Sequence, residues 1–554
     1  MTDSRIVGWR RLSAILLAAS AVLCGCASAP APHAVVVPNL TPGARTITVA
    51  ADASPLGTCY AFWSVGNFNK PHALLDPQAV RDYRGAAPLV TELNLVYLLG
   101  GRYEGENVWF RGVAEDGSLR TDFTGMIAQL RAAMEHGYTP RIVLDNVPDA
   151  MSDPPQPNYY GNTAPPADEN VWCRYVEASV RAMVEAFGRE TVGQWSFRVG
   201  TEPDLKPAHW AGTKEQYMVH YDHTVAAVRR VLPRAVVGPG NILNPGMIGR
   251  PRWARNRWGL DIIDHVATGD NAGTGQIGAP MDVFSCSWYP RVGWPVSRFD
   301  EAMGAIRSRL DRYGYFDRVT IEVGEFAVLG DDRGRHLYAG DTTEWSASFY
   351  AALAARVYAL DIRKLYEWDH ATYGVMHPKG RVIEMLQRMA GGKRLEVDVE
   401  ATSAANCGAV ACRKDDRLFV LLYNHRPERD ASVPETVRLV VEDSRMAAGT
   451  DWRVSEWLVD REHSVWAYAF EADCAAAGLE PLPKAGLYEG SVERLYGEPG
   501  IKVFRDNAAK YEKLSQVLHA ADRRPTPVAD GRLTMDIEMA GHSVRLLELA
   551  PPRR

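Results

Sequence analysis

Between residues 46 and 395, short stretches that alternate polar and apolar residues or run apolar take turns with longer stretches whose apolar residues recur every three or four positions. The first period is that of a half-buried strand and the second that of a helix with one apolar face. Strand-like stretches fall at Tyr60–Ser64, Leu93–Leu98, Arg141–Asp145, Trp195–Gly200, Ala235–Asn241, Asp282–Pro290, Val319–Glu325 and Lys364–Asp369. Helical stripes run over Phe123–Met134, Tyr175–Phe187, Glu215–Val231 and Glu344–Val357. Strands and helices in strict turn predict an α/β fold, a (β/α)8 barrel over residues 46–395. Residues 149–168, rich in Pro, Asn and Asp, predict a long loop over the C-terminal lip of that barrel.

The pattern changes after Gly392. Arg417–Tyr423, Val437–Val441, Val454–Leu458, Val465–Phe470 and Val544–Leu549 have strand character with no helices between them. They predict a C-terminal antiparallel β-sandwich over 396–554, interrupted at 475–525 by an insertion with one helix near Asp506–Leu518. At the other end, Arg5, Arg10 and Arg11 precede an apolar run from Leu12 to Leu23, too short for a typical spanning helix. Leu23-Cys24-Gly25-Cys26 resembles a bacterial lipobox. Residues 1–26 then read as a lipoprotein signal peptide with Cys26 lipidated, and 27–45 as a Pro/Ala-rich tether. The expected location is outside the cytoplasm, anchored to a membrane; Ala27 rather than Asp after the cysteine points to the outer membrane. A signal peptidase site near Ala27–Ala29 is the alternative, and Arg10-Arg11 is a weak hint of twin-arginine export.

Composition narrows the chemistry. The 554 residues are 46% hydrophobic and 23% charged, and a net charge of −6 leaves no footprint for nucleic acid. Fifteen Trp and 23 Tyr suit a carbohydrate partner as well as a packed core. Six cysteines beyond the N-terminal pair match no zinc spacing, and Gly238-Pro239-Gly240 is no phosphate loop, so neither metal nor cofactor is expected. His220 and His223 share a helix without a third ligand and read as a solvated outer face. The oligomeric state is open.

Two carboxylates stand apart from this background. Glu202 follows an alternating strand that Pro203 ends, and Glu325 closes another strand 123 residues later. Carboxylates at the C-terminal lip of a barrel are placed for chemistry. A pair about 5–5.5 Å apart is the equipment of a retaining glycosidase. Glu322 is the rival nucleophile; simple alternation puts Glu325 on the face of Ile321 and Val323 and Glu322 on the other. Asp145 and Asn241 end strands, as Asp369 does, and Trp63 follows the first; each reads equally as structural or substrate-binding.

Trp195-Ser196-Phe197-Arg198-Val199-Gly200-Thr201-Glu202-Pro203-Asp204-Leu205 resembles the acid/base signature of glycoside hydrolase family 39, a family that includes β-xylosidases and iduronidases. Val323-Gly324-Glu325-Phe326 resembles its nucleophile strand, Asp52–Gly57 the start of its barrel, and Gly374–Leu395 its closing helix. The resemblance implies Glu202 as acid/base and Glu325 as nucleophile, with Tyr289 hydrogen-bonding the nucleophile and Trp368 flooring the sugar pocket. Thr201 stands where the family has the Asn that holds the sugar 2-hydroxyl, and Ser287 stands where it has a His. The implied activity is hydrolysis of β-xylosides or related glycosides. A non-catalytic sugar-binding or exopolysaccharide-assembly lipoprotein on the same scaffold is the other expectation.

Overall fold

The computed structural model describes residues 44–551 except 68–70, 84–89, 102–107, 244–257, 315–316, 329–341, 369, 401–405, 447–451, 483–490 and 524–530. Cys26, the signal segment, the tether up to residue 43, and Asp369 lie outside the described residues.

Eight strands close a parallel barrel in which sequence neighbours are spatial neighbours. They are Trp63–Asn67, Glu92–Leu95, Thr139–Leu144, Ser196–Thr201, Val236–Leu243, Val283–Trp288, Thr320–Phe326 and Lys364–Glu367, the first to eighth barrel strands below. The fourth strand pairs with the third (Phe197 opposite Ile142) and with the fifth (Thr201 opposite Asn241). The helices Thr124–Glu135, Glu169–Phe187, Lys214–Val231, Trp258–Thr268, Ser297–Asp311, Glu344–Ala359 and Pro378–Met389 surround it. Apolar residues on the outer side of the strands, such as Phe197, Val199, Ile321 and Val323, pack with the helices in one buried cluster. Gly240 shows how tightly the wall is drawn: a Cβ there would stand 1.8 Å from the Gly200 carbonyl oxygen.

The C-terminal sandwich has two sheets. Seven strands lie in one, with Arg417–Asn424 and Arg453–Val459 on either side of Ser543–Ala550; four lie in the other, including Glu435–Glu442 and Arg532–Met539. The strand Arg45–Ala50 corrects the expected boundary, for it pairs with Glu396–Val399 and Glu435–Glu442 and so belongs to the sandwich. Its alternation is genuine, but its apolar face, Ile47 and Val49, fills the sandwich core. The segment expected as a strand at Val465–Phe470 is largely helix, Ala467–Ala476. An apolar run that short fits either period. Here Trp466 and Phe470 pack with Phe504 and Tyr511 of two further helices, Val492–Asp506 and Ala508–Ser515, in a small core of their own.

The seven-stranded sheet is buried on both sides. Along Arg417–Asn424, Leu418, Val420 and Leu422 face the sandwich core, while Phe419 and Leu421 join the barrel's cluster. Polar contacts fix the same junction. Trp345 Nε1 donates to the carbonyl of Pro427 at 3.0 Å, and Arg381 Nε donates to that of Ser515 at 2.6 Å.

Candidate active site

The fourth strand delivers Glu202 directly past its last residue. Its backbone is left-handed (φ 41°), a conformation that a non-glycine residue adopts only when its surroundings impose it. The turn is pinned twice: Leu205 N–H donates to the Glu202 carbonyl at 2.8 Å, and Leu243 N–H to Asp204 Oδ1 at 3.0 Å. The Glu202 carboxyl is thereby turned into the barrel mouth, with 4% of the residue exposed.

Glu325 arrives by a different device. The sixth and seventh strands pair Ser285 with Glu322 and Cys286 with Val323, then shift register so that Ser287 meets Glu325. Ser285 and Ser287 share a face of their strand, so Glu322 and Glu325 both turn toward the barrel axis. Simple alternation, which set them on opposite faces, fails at this bulge. The extra residue is Gly324, where a Cβ would stand 2.0 Å from Asn241 Oδ1 and 2.3 Å from Arg198 Nη1.

Glu322 lies one layer below and is already engaged. Arg198, fully buried, pairs with Glu322 Oε1 at 3.1 Å. Its Nη1 also donates to Asn241 Oδ1 and Ser285 Oγ, both at 2.9 Å, and its Nη2 donates to Asn94 Oδ1. Asn94 passes the connection on, donating to the Gly324 carbonyl at 3.2 Å. A buried cation satisfied on so many sides is a floor rather than a reagent. It leaves Glu325 as the carboxylate free to face a ligand.

Above this floor the Tyr289 hydroxyl donates to Glu325 Oε2. The same phenol stands near Glu202. Burial and then the Glu325 charge push the Glu202 carboxyl well above the usual carboxylate range; the nearby hydroxyls of Ser287 and Tyr289 work the other way. Burial also raises Glu325, opposed by hydrogen bonds from Tyr289 and Asn241 and by the Arg198 charge. Glu202 Oε1 has no hydrogen-bond partner among the described residues, and Oε2 lies 3.8 Å from His209 Nε2. His209 is stacked on Tyr160 at 4.1 Å, so the loop over residues 149–168 closes one side of the site.

The other expected residues divide. Thr201 and Asp145 meet, the Thr201 hydroxyl donating to Asp145 Oδ2 at 2.6 Å. Asn241 reaches the centre through Arg198 and Glu325. Trp368, half-buried, stands edge-on to Tyr289 at 5.3 Å and forms a wall. Trp63 is a correction: the first strand starts three residues later than its pattern suggests. Trp63 opens that strand opposite Leu365, at the far end of the barrel from the glutamates and inside the apolar core. His220 is also corrected, for it is buried between Trp172 and Trp210 with Nδ1 3.2 Å from Glu169. Cys59, Cys173, Cys286, Cys407, Cys412 and Cys474 are buried and unbridged, and among the described residues no His/Cys/Asp/Glu cluster is placed to hold a metal ion. Sequence reasoning missed Arg198, Asn94 and His209. A charged residue on the inward face of an otherwise apolar strand was the available signal for Arg198; nothing marked His209.

Residues 75–312 match the family model for glycosyl hydrolases family 39, a span that contains Glu202 and stops short of Glu325. Over that span the chain is similar to glycosyl hydrolase family 39. Among curated relatives, the chain is 24% identical over 265 residues to an α-1,4-L-rhamnosidase of Formosa agariphila, covering 46% of this chain and 51% of that one. It is 27% identical over 186 residues to a β-xylosidase of Caldicellulosiruptor saccharolyticus, covering 33% and 34%. The matches thus span about half or less of these relatives' length. In fold, the chain superposes on a GH39 enzyme from Xanthomonas axonopodis pv. citri with a TM-score of 0.68 at 16% identity, covering 92% of this chain and 98% of that one.

Proposed function

We propose that this protein is a retaining glycoside hydrolase working by double displacement, with Glu325 as nucleophile and Glu202 as acid/base. The observation that carries the reading is a pair of buried carboxyls turned into the barrel mouth, with the Tyr289 hydroxyl donating to Glu325 and Glu202 Oε1 left without a partner among the described residues. Glu202, raised by burial and by the Glu325 charge, keeps its proton for the leaving oxygen. The group held down by Tyr289, Asn241 and Arg198 stays ionised and attacks the anomeric carbon. Water, deprotonated by Glu202, then releases the sugar with net retention. The names of the relatives make β-xylosides and rhamnosides the first glycosides to try.

A nitrophenyl glycoside panel tests the activity, and two variants test the roles. Glu325→Ala should abolish turnover, with azide restoring some rate and giving the inverted glycosyl azide. Glu202→Ala should slow substrates with poor leaving groups by about 10²–10⁴-fold, and azide should then give the retained product. Full activity in both variants would refute the assignment and leave a non-catalytic sugar binder.

We further propose that the chain is exported and held on a membrane by a diacylated Cys26, on the strength of the lipobox-like Leu23–Cys26. Mass spectrometry of the mature N-terminus should find the lipid; a free N-terminus after Ala29 would refute it.

A further inference from the structure

The hydrogen-bonding capacity beside Glu202 is oddly one-sided. Thr201, the last residue of the fourth strand, has one hydroxyl proton and donates it to Asp145 Oδ2 at 2.6 Å. Nothing on its side chain is left to donate. Asp145, directly after the third strand, takes the Tyr97 backbone N–H on its other oxygen, Oδ1, also at 2.6 Å. A carboxylate oxygen accepts two hydrogen bonds, so each Asp145 oxygen keeps an open position. Among the described residues no Lys, Arg or His forms an ion pair with Asp145, although only 5% of it is exposed. It is near enough to the nucleophile for the Glu325 charge to add to burial in raising its pKa to about 7. A buried carboxyl with open acceptor sites and no direct ion pair, only the Arg198 charge acting from further off, is expensive until a donor reaches it. The backbone of Tyr97 and the hydroxyl of Thr201 hold it in place for that donor.

We propose that Thr201 and the ionised Asp145 act as one acceptor-only unit that demands a donating hydroxyl on the sugar ring bound between Glu202 and Glu325. The proposal rests on the glycosidase reading and names what that site selects. It has a chemical signature. Hydrogen at the recognised ring position offers nothing, and fluorine can accept but not donate, so both should fail alike. A site that donated to the sugar would distinguish them.

The probe, assayed at pH 8 where Asp145 is ionised, is whichever nitrophenyl glycoside the wild type cleaves fastest, with its monodeoxy and monodeoxyfluoro derivatives at each ring hydroxyl. At one position both replacements should lower kcat/KM. Asp145→Asn and Thr201→Val should each shrink that hydroxyl-to-hydrogen ratio by about 10–100-fold, the worth of a hydrogen bond to a charged group, and leave the ratios at other positions unchanged. Comparing ratios cancels the electronic effect that fluorine has on any glycoside. Asp145→Asn, which brings an amide donor, should also improve the fluoro over the deoxy substrate. Thr201→Ser should keep the wild-type ratios, which separates the hydroxyl's role from a packing defect. If the wild type cleaves glycosides but the variants keep its ratios, this inference falls alone. If the wild type cleaves no glycoside, it falls together with the glycosidase reading.

Discussion

Asp145 carries a cost that can be read in the stability of the fold. Its carboxyl rises from 3.8 in a free chain to about 7 when folded, first through burial and also through the Glu325 charge. Below pH ~4 both states hold the proton and nothing is lost; as pH climbs toward 7 the unfolded chain ionises freely and the folded one does not. Stability from this residue therefore falls with rising pH, by about 4 kcal/mol at most. Asp145→Asn, neutral at every pH, should gain thermal midpoint over wild type steadily from pH 5 to pH 8; a constant difference would contradict this. The pairing that causes the effect was only half legible in the sequence. Asp145 and Thr201 could each be placed at a strand end by pattern. That a hydroxyl on one strand is committed to a carboxylate on its neighbour depends on third-to-fourth strand register, which pattern does not carry.

At the scale of elements, the seventh strand explains why the two candidate nucleophiles differ. Alternation correctly found the strand and its closing carboxylate, and missed the shift between Cys286 and Ser287 that turns Glu322 and Glu325 the same way. A bulge adds one residue, and Gly324 announces it only once its crowded neighbours are known. Arg198 then decides the outcome by occupying Glu322. Arg198→Met should strand Glu322 as a lone buried charge and destabilise the protein by about 3–5 kcal/mol. Adding Glu322→Gln should recover a large part of that. Urea unfolding of the three variants measures it, and equal stability of the single and double variants would show that the pair is not coupled. The strands that alternation placed least well, the first barrel strand and the segment near Phe470, are short apolar runs in which period alone cannot choose.

The whole molecule is bound together by a sheet that serves two cores at once. Phe419 and Leu421 belong to the barrel's packing while Leu418, Val420 and Leu422 belong to the sandwich's. The near-continuous apolar run from Leu418 to Leu422 recorded this double burial, although it reads at first as an ordinary strand. Removing residues 396–554 should uncover the barrel's flank and take both partners from Arg45–Ala50, giving insoluble protein; a soluble, fully active truncation would show the contact to be incidental. The topology also sets an order of events during synthesis. Ser543–Ala550 lies at the C-terminal end of the chain yet sits between Arg417–Asn424 and Arg453–Val459 in the sheet that covers the barrel. A ribosome that has translated every barrel strand has still not made the piece that closes its lid. Until Ser543–Ala550 has been made, the side of the barrel that Val544 and Leu546 pack against stays uncovered, so barrel and sandwich are expected to finish folding together.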